Sequence, residues 1–367
     1  MIVVIADDIT GAAEIAGVAW RMGFSVRLDV QSPQQGNAAD VIVIATDTRQ
    51  MGSKEASEAT TELIIKLKSL FPQTEDLLFF KKTDSALRGH IVIELQSLMA
   101  ELGLRKTLLL AQNPSKGRII TGGRYLINGI PLDETQFKND PEFPARTSIV
   151  GQLLAETRSL SLDAPLGEGI NVADAASQEE ILLQLNKADK ETLLAGAADF
   201  FTAYIRQFAI DRKTRSNEQH AVCEKRLLLQ GSTQSSTFGK NMKEMLMPDA
   251  VFHGSSPQEW IELLENCFEN ETSMAIRIAQ PPTGGKAYAI RLRETMAEAA
   301  ARLLENKTVP IHLLIEGGAT AFAIFRRLGW QSFHIVKEDA PGVVTLSHKK
   351  FLITLKPGSY PWPSDYC

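Results

Sequence analysis

The chain has 367 residues, of which 44% are hydrophobic and 23% charged, with a formal net charge of -5 and a pI near 5.8. This length exceeds what one compact core usually holds, so two domains are expected, and the composition is that of a globular rather than a disordered or fibrous protein. The acidic balance argues against a nucleic-acid partner, because nucleic-acid-binding domains usually carry a basic face.

The cysteines and the apolar segments bear on where the protein works. Three widely spaced cysteines, Cys223, Cys267 and Cys367, predict neither a disulfide framework nor a zinc cluster, and a reducing cytoplasm is the expected location. The apolar start MIVVIA is interrupted by Asp7 and Asp8, so it indicates a strand rather than a signal peptide. No apolar stretch is long enough to predict a membrane span, and no membrane partner is expected.

Short apolar runs alternate with amphipathic helical patterns in the first part of the chain. Strands are predicted at 2–6, 26–30, 40–46, 76–80 and 107–111, and helices at 11–23, 53–70 and 89–103. This alternation is typical of βαβ units around a mainly parallel sheet. Residues 112–148 are rich in Gly, Pro and Asn and predict a long loop that contains a hairpin.

The α/β alternation resumes after residue 148 and again in the second half of the chain. The polar stretch 209–226 predicts a linker between domains at 1–208 and 227–367. Later strands are predicted at 226–233, 273–279, 311–316 and from Phe351, with helices from Thr237, at 257–268, at 289–305 and from Thr320. The predicted fold class is α/β, with two α/β domains on mainly parallel sheets.

The first strand-to-helix turn, in IADDITGAA, carries two adjacent aspartates. Ligands of open α/β sheets bind where the carboxyl ends of strands meet loops and helix N-termini. Asp7 or Asp8 at such a place could act as a general base toward a hydroxyl group or hold Mg²⁺ through water. Thr10 is the predicted N-cap of the following helix. The alternative is that both aspartates only cap the helix.

Two further turns supply charged and hydroxyl side chains. The turn TDTR contributes Asp47 and Arg49, which taken alone indicate a solvated turn. The segment KKTDSALRGH contributes cations beside acceptors, a combination that suits a sugar acid because arginine grips a carboxylate through two parallel hydrogen bonds. Its candidate residues are Lys82, Asp84, Ser85 and Arg88, and a surface ion-pair cluster is the alternative. Lys116, Arg118 and Arg124 lie among glycines in the 112–148 segment, as a lid would require.

Two turns in the second half suit phosphate groups. EGGATA places Gly317 and Gly318 between a strand and a helix, with Thr320 near the expected N-cap, and the backbone N–H groups of such a helix start attract phosphate. QGSTQSST offers hydroxyls that include Ser232. Its spacing is not that of a P-loop, and no GxGxxG follows a strand, so a dinucleotide enzyme is not indicated.

Several segments resemble the motifs of the four-carbon acid sugar kinase family. IADDITGAAEIA, KKTDSALRGH and NPSKGRIITGG resemble its amino-terminal signatures, and AGAADF, QGSTQSST, EGGATA, APGV and TLKPGSY resemble its later motifs in the same order. The resemblance implies a sugar-acid-binding domain, a nucleotide-binding domain and an active site in the cleft between them. It also implies that ATP with Mg²⁺ phosphorylates a hydroxyl of a threonate, erythronate or oxo-tetronate.

The residues and the resemblance together assign roles, with metal ligands left unassigned. The expected catalytic residues are Asp8, Asp84 and Lys82, the substrate-binding residues are Asp7, Asp47, Arg49, Ser85, Arg88 and Arg118, and the nucleotide-binding residues are Ser232, Gly317, Gly318, Ala319, Thr320 and Gly358. Two alternatives stay open. Ala319 and Pro357 depart from the family's motifs and would fit a sugar-acid sensor that transfers nothing. A phosphohydrolase with Asp7 as nucleophile is less compatible, because such enzymes use Asp-x-Asp. A homo-oligomer is compatible with the sequence.

Overall fold

The computed structural model describes residues 1–35, 39–72, 77–140, 142–210, 212–214, 223–231, 242–278, 285–305, 307–358 and 360–366. The chain divides into two compact units, Met1–Thr214 and Arg215–Cys367, called the amino-terminal and carboxy-terminal units below. The predicted helix from Thr237 lies outside the described residues. Among the described helices, none is long and apolar enough to cross a bilayer.

The amino-terminal unit is built from alternating strands and helices, with an antiparallel insertion. Its elements are β1 (Ile2–Ala6), α1 (Ile9–Arg21), β2 (Val26–Val30), β3 (Val41–Ala45), α2 (Ser53–Leu70), β4 (Leu78–Lys82), α3 (Ile91–Leu102), β5 (Lys106–Leu110), β6 (Arg118–Thr121), β7 (Arg124–Ile127), β8 (Ile130–Pro131), α4 (Val150–Leu153), β9 (Thr157–Leu160), β10 (Gly169–Ala173), α5 (Gln178–Leu185), β11 (Thr192–Gly196) and α6 (Ala198–Arg206).

Eight of these strands form one parallel sheet in the order β2-β3-β1-β4-β11-β5-β10-β9. β1, β2 and β3 are buried along their whole length, which explains their continuous Val/Ile/Leu-rich sequences. β6, β7 and β8 form a separate antiparallel sheet within the predicted loop, so the predicted hairpin is present.

The carboxy-terminal unit repeats the α/β construction with seven strands of mixed direction. Its described elements are β12 (Lys225–Gln230), β13 (Lys243–Leu246), α7 (Asp249–Phe252), α8 (Gln258–Asn270), β14 (Ser273–Arg277), α9 (Gly285–Leu304), β15 (Ile311–Glu316), α10 (Gly318–Leu328), β16 (Ser332–Ala340), β17 (Val343–His348) and β18 (Phe351–Lys356). The strand order is β13-β14-β12-β15-β18-β17-β16, parallel through β18 and antiparallel beyond it. The predicted α/β fold class with mainly parallel sheets is confirmed.

Two local features differ from the sequence-based expectation. β4 continues through Lys82, whereas the apolar pattern ended it at residue 80. Lys81 and Lys82 are buried, and pairing of β4 with β1 and β11 carries the strand past the apolar run. The Lys81 ammonium is neutralised by Glu94 of α3, with Nζ and Oε2 2.6 Å apart. The β16–β17 hairpin was not predicted, because polar residues interrupt the apolar positions of β16.

Candidate functional site

Strand register brings three polar turns together at one edge of the amino-terminal sheet. Ala6, the last residue of β1, is level with Ala45 of β3 and with Lys82 of β4. The turns after these three strands therefore start side by side, because neighbouring strands of a sheet lie about 4.8 Å apart. They carry Asp7, Asp8, Arg49, Asp84 and Arg88, which we call the carboxylate–arginine cluster.

Asp8 is the N-cap of α1. Its Oδ1 accepts a hydrogen bond from Gly11 N at 3.1 Å, and Thr10 Oγ1 donates to its Oδ2 at 2.5 Å. The prediction that Thr10 is the N-cap was wrong, because the helix begins at Ile9, two residues earlier than predicted. The Asp8 side chain is 17% exposed, against 3% for Asp7 and 9% for Asp84. Asp8 is thus the carboxylate of the cluster most accessible to a ligand.

Arg49 joins carboxylates from all three turns. Its Nε and Nη2 donate to Asp7 Oδ2 and Oδ1 at 2.7 and 2.9 Å, and Nη2 also donates to Asp8 Oδ1 at 3.1 Å. Nη1 lies 3.5 Å from Asp84 Oδ2. Asp47, in the left-handed conformation with φ +61, starts the short 3₁₀ turn that carries Arg49. The solvated turn expected from the sequence alone was therefore wrong for Arg49, whose side chain is only 12% exposed.

Arg88 grips Asp84 through two parallel hydrogen bonds. Arg88 Nη2 donates to Asp84 Oδ2 at 2.8 Å and Nε donates to Oδ1 at 3.0 Å. The Oδ1 atom also accepts from the backbone N–H of Ala86 at 2.9 Å. A third Arg88 nitrogen, Nη1, donates to Asp140 Oδ2 at 3.2 Å in the segment after β8. Asp84 is held by more donors than Asp8 is, so it is better placed to orient Arg88 than to accept a proton.

Lys82 lies beside the start of α1, next to a carboxylate that the sequence analysis did not select. Lys82 Nζ is 3.6 Å from Glu14 Oε2, and Lys116 Nζ donates to Glu14 Oε1 at 2.7 Å. A Cβ atom at Gly11 would lie 2.5 Å from Asp8 Oδ1 and 3.2 Å from Lys82 Nζ, so glycine leaves room for both side chains. Glu14 thus links a lysine of the parallel sheet to a lysine of the inserted segment.

The inserted segment covers the turn after β4. Arg118 Nη1 donates to Ser85 Oγ, and the buried Tyr125 hydroxyl donates to the Ser85 carbonyl oxygen. The Phe137 ring lies 5.4 Å from the guanidinium carbon of Arg88 and 5.5 Å from that of Arg118. Ser85, Arg88 and Arg118 are therefore brought together, and the ring and the Tyr125 hydroxyl fix them.

The positive side chains keep the acidic groups ionised. Burial alone would raise the pKa of Asp8, but the charges of Arg49 and Lys82 outweigh it and hold that pKa below its ordinary value. The pKa of Glu14 is lowered in the same way, with Lys82 and Lys116 overcoming burial. For Asp84, Arg88 and Arg49 overcome burial and hold the pKa far below its ordinary value. All three groups carry their charge at neutral pH.

For the sugar acid and the ATP that the sequence resemblance implies, we predict that Glu14→Gln raises the KM for the sugar acid about tenfold, equivalent to about 1.4 kcal/mol, and leaves the KM for ATP unchanged. The change keeps the side-chain volume but removes the charge that holds Lys82 and Lys116 together. Because the pKa of Glu14 is lowered, the effect should be the same from pH 6 to pH 8. Steady-state kinetics with Glu180→Gln on α5 as the control would check it; equal KM values in both variants would contradict the role given to Glu14.

The predicted nucleotide turn follows β15 in the carboxy-terminal unit. Gly317, with φ +99, is the N-cap of α10, and its N–H donates to the Lys356 carbonyl oxygen at 2.9 Å. Gly318, Ala319 and Thr320 form the first turn of α10, so the helix begins before Thr320, where the sequence placed its start. Gly358 lies just after β18, the strand beside β15. Ser232 lies outside the described residues.

Among the described residues, no group of three or more His, Cys, Asp or Glu side chains is arranged to hold a metal ion by itself. Magnesium in nucleotide sites is usually held by one or two carboxylates together with substrate phosphates and water. The partly exposed Asp8 carboxylate fits that more modest requirement. Asp7 and Asp84 each accept two hydrogen bonds from arginine, whereas Asp8 accepts one.

Comparison with known proteins identifies the class and then the family. The fold and the site define an α/β protein with a cationic, carboxylate-lined turn cluster in its first unit. The family described as the sugar-binding N-terminal domain matches residues 2–204, more than half of the chain. The chain belongs to this family, which confirms the resemblance to the four-carbon acid sugar kinases.

Curated relatives match along most of the chain. A D-threonate kinase from Salmonella typhimurium is 25% identical over 92% of this chain and 89% of its own length. A 3-oxo-tetronate kinase from Methylobacterium radiotolerans is 24% identical over 97% of this chain and 95% of its own length. A D-erythronate kinase from Heliobacterium modesticaldum is 30% identical, but the match spans 49% of this chain and 46% of that protein.

Solved structures share the fold across the whole chain. A crystal structure of a Salmonella typhimurium protein has a TM-score of 0.78 at 22% identity and covers 98% of this chain and 96% of its own. A Haemophilus influenzae crystal structure has a TM-score of 0.72 at 21% identity, and the match covers 99% of this chain and 98% of that one. At these identities the likeness establishes the fold alone.

Proposed function

We propose that this protein is an ATP-dependent kinase that phosphorylates a hydroxyl group of a four-carbon sugar acid. The observation that carries the proposal is the carboxylate–arginine cluster, in which an accessible ionised carboxylate lies beside paired arginines within the family's sugar-binding domain. Relatives named as threonate, erythronate and 3-oxo-tetronate kinases support the substrate class and the reaction.

Asp8 is the proposed base. It is the most exposed carboxylate of the cluster, and its low pKa keeps it ionised, so it can accept a hydrogen bond from a substrate hydroxyl and orient the oxygen for attack. Phosphoryl transfer depends mainly on positioning and charge neutralisation, which makes a strong base unnecessary. The role proposed for Asp84 is to orient Arg88 through their two parallel hydrogen bonds.

The positively charged side chains are proposed to bind the substrate. Arg88 and Arg118 flank Ser85 and the Phe137 ring, and Lys82 lies beside the start of α1 near Asp8. A substrate carboxylate would pair with an arginine, and Lys82 would neutralise charge that develops on the transferred group. Asp7, whose two oxygens are both held by Arg49, is poorly suited to be a hydrolase nucleophile.

The carboxy-terminal unit is the proposed binder of ATP. The N-terminus of α10 presents the backbone N–H groups of Gly318, Ala319 and Thr320, which favour phosphate oxygens through direct hydrogen bonds and the helix dipole. This recognition uses backbone atoms, so Ala319 is compatible with it. Mg²⁺ would neutralise the triphosphate charge.

A thermal-shift screen tests the ligands of this proposal. D-threonate, D- and L-erythronate and the oxo-tetronates would each be added with and without ATP and Mg²⁺, and acetate would control for a carboxylate alone. We expect one tetronate to raise the melting temperature by itself and ATP with Mg²⁺ to raise it separately. Stabilisation by a sugar acid with no nucleotide response would favour a sensor, and no response to any four-carbon acid would contradict the proposal.

A further inference from the structure

A buried ion pair lies at the carboxyl ends of neighbouring strands in the carboxy-terminal unit. Glu316 ends β15 and Lys356 ends β18, and the two residues are paired in the sheet. Lys356 Nζ lies 3.4 Å from Glu316 Oε2, and the side chains are 2% and 0% exposed. Removing two charges from water is unfavourable, and apolar residues of similar size often stabilise a fold as well as a buried ion pair does. Stability alone is thus a weak explanation for this pair.

The glutamate of the pair connects β15 to a second strand and to the chain terminus. Glu316 Oε2 accepts hydrogen bonds from Gln230 Nε2 at 3.3 Å and from Trp362 Nε1 at 3.1 Å. Gln230 is the last residue of β12, which is the other neighbour of β15 in the sheet. Glu316 therefore fixes the ends of both strands just before their following turns.

The lysine of the pair holds the segment that follows β18. Lys356 Nζ donates to the carbonyl oxygens of Pro357 at 3.0 Å and Tyr360 at 2.6 Å, and lies 3.5 Å from that of Gly358. The Lys356 carbonyl oxygen in turn accepts from Gly317 N. One residue thus fixes both the turn at Gly317 and the segment that contains Gly358.

One oxygen of the Glu316–Lys356 pair has no hydrogen-bond partner. Within the described part of the chain, Glu316 Oε1 is buried and accepts no hydrogen bond. Leaving such an acceptor unpaired is destabilising, and exceptions of this kind are rare enough in native structures to require an explanation. Burial lowers the pKa of Lys356 although Glu316 opposes that shift. The unpaired Glu316 oxygen and the buried Lys356 charge therefore destabilise the fold at the ends of β15 and β18, just before the predicted nucleotide turns.

We infer that Glu316 and Lys356 are positioning residues for the nucleotide site, which set the Gly317 turn and the Gly358 segment in place for a nucleoside di- or triphosphate. The inference rests on the proposed function for the identity of the ligand. The pair acts through the backbone, because both side chains are buried and Lys356 donates to carbonyl groups rather than toward solvent. The Glu316–Lys356 pair explains how the turn that contains Ala319 and the segment that contains Pro357 each keep a defined shape.

The test separates positioning from stability by comparing single and double variants. Isothermal titration of the full chain with ADP and Mg²⁺ would be run on wild type, Lys356→Met and the double variant Lys356→Met/Glu316→Gln, which removes both charges but keeps an acceptor for Gln230 and Trp362. Lys307→Met is the matched control, because Lys307 pairs with Glu269, which is exposed. The melting temperature and the dissociation constant for the sugar acid would be measured on the same samples.

We expect Lys356→Met to bind ADP at least about tenfold more weakly, with sugar-acid affinity within about twofold of wild type. The double variant should recover the melting temperature, since it removes the unpaired charge, but not the nucleotide affinity. Nucleotide affinity that recovers together with the melting temperature, or that never falls in the single variant, would overturn the inference. Wild type that binds ADP but transfers no phosphoryl group would contradict the kinase proposal alone.

Discussion

Asp8→Asn is expected to lower kcat about 10²–10⁴-fold while changing ATP affinity by less than about threefold, because the amide cannot accept a proton or attract the hydroxyl hydrogen as the carboxylate does. The change preserves shape, and the amide oxygen can still accept the N-cap bond from Gly11, so the helix start should survive although Thr10 loses its acceptor. Asp84→Asn should also lower turnover strongly, through loss of the paired contact with Arg88. Steady-state kinetics and nucleotide titration would measure both effects.

The control for the aspartate variants is Asp163→Asn, an exposed residue between β9 and β10, which lie four and three strands away from β4 in the sheet. It should behave as wild type. Near-normal turnover of both Asp8→Asn and Asp84→Asn would remove the cluster from the catalytic site. A higher KM for the sugar acid with an unchanged kcat would instead show that Asp8 binds the substrate.

Arg49→Met is expected to destabilise the amino-terminal unit by about 3–5 kcal/mol at pH 7, because it leaves buried carboxylates without their shared counter-charge. The pKa values of Asp8 and Asp84 are lowered in the folded protein, partly by Arg49. Their contribution to stability is therefore complete above about pH 4 and is lost as the pH falls further. The difference between wild type and variant should narrow below about pH 4.

Hydrogen exchange in urea, read on peptides of β1 and β3 at pH 7 and pH 3.5, would measure this difference in opening free energy. Arg212→Met is the matched control, because Arg212 pairs with Asp40 at a site where both side chains are about one-third exposed. Such a pair should contribute no more than about 1 kcal/mol. Equal losses in the two arginine variants would show that Arg49 is not the centre of the cluster.

The regular part of the fold was predictable because it depends on local pattern. Buried strands such as β1 and β3 consist of continuous apolar residues, and α2 and α8 carry apolar positions at helical spacing. The end of β4 was not predictable in this way. Lys81 and Lys82 are polar in sequence but are buried by pairing with strands and by Glu94, which is a tertiary effect.

The candidate site was predictable only in part, for the same reason. The turns after β1 and β4 stand out by their charge, and strand order then places them together. Arg49 looked solvated because its main partner, Asp7, lies 42 residues earlier in the chain. Glu14 gave no signal, since an acid on a helix is usually exposed; only its contacts with Lys82 and Lys116 reveal its place. The Glu316–Lys356 pair was hidden at the ends of two strands.

Direct observation of phosphoryl transfer tests the central claim most directly. Wild type and Asp8→Asn would be incubated with ATP, Mg²⁺ and the tetronate that gives the largest thermal shift, and the products followed by ³¹P NMR. We expect wild type to form ADP and one sugar-acid phosphate ester in equal amounts, and Asp8→Asn to form both at least about 100-fold more slowly. Release of inorganic phosphate without an ester, or ester formation at equal rates by both proteins, would contradict it.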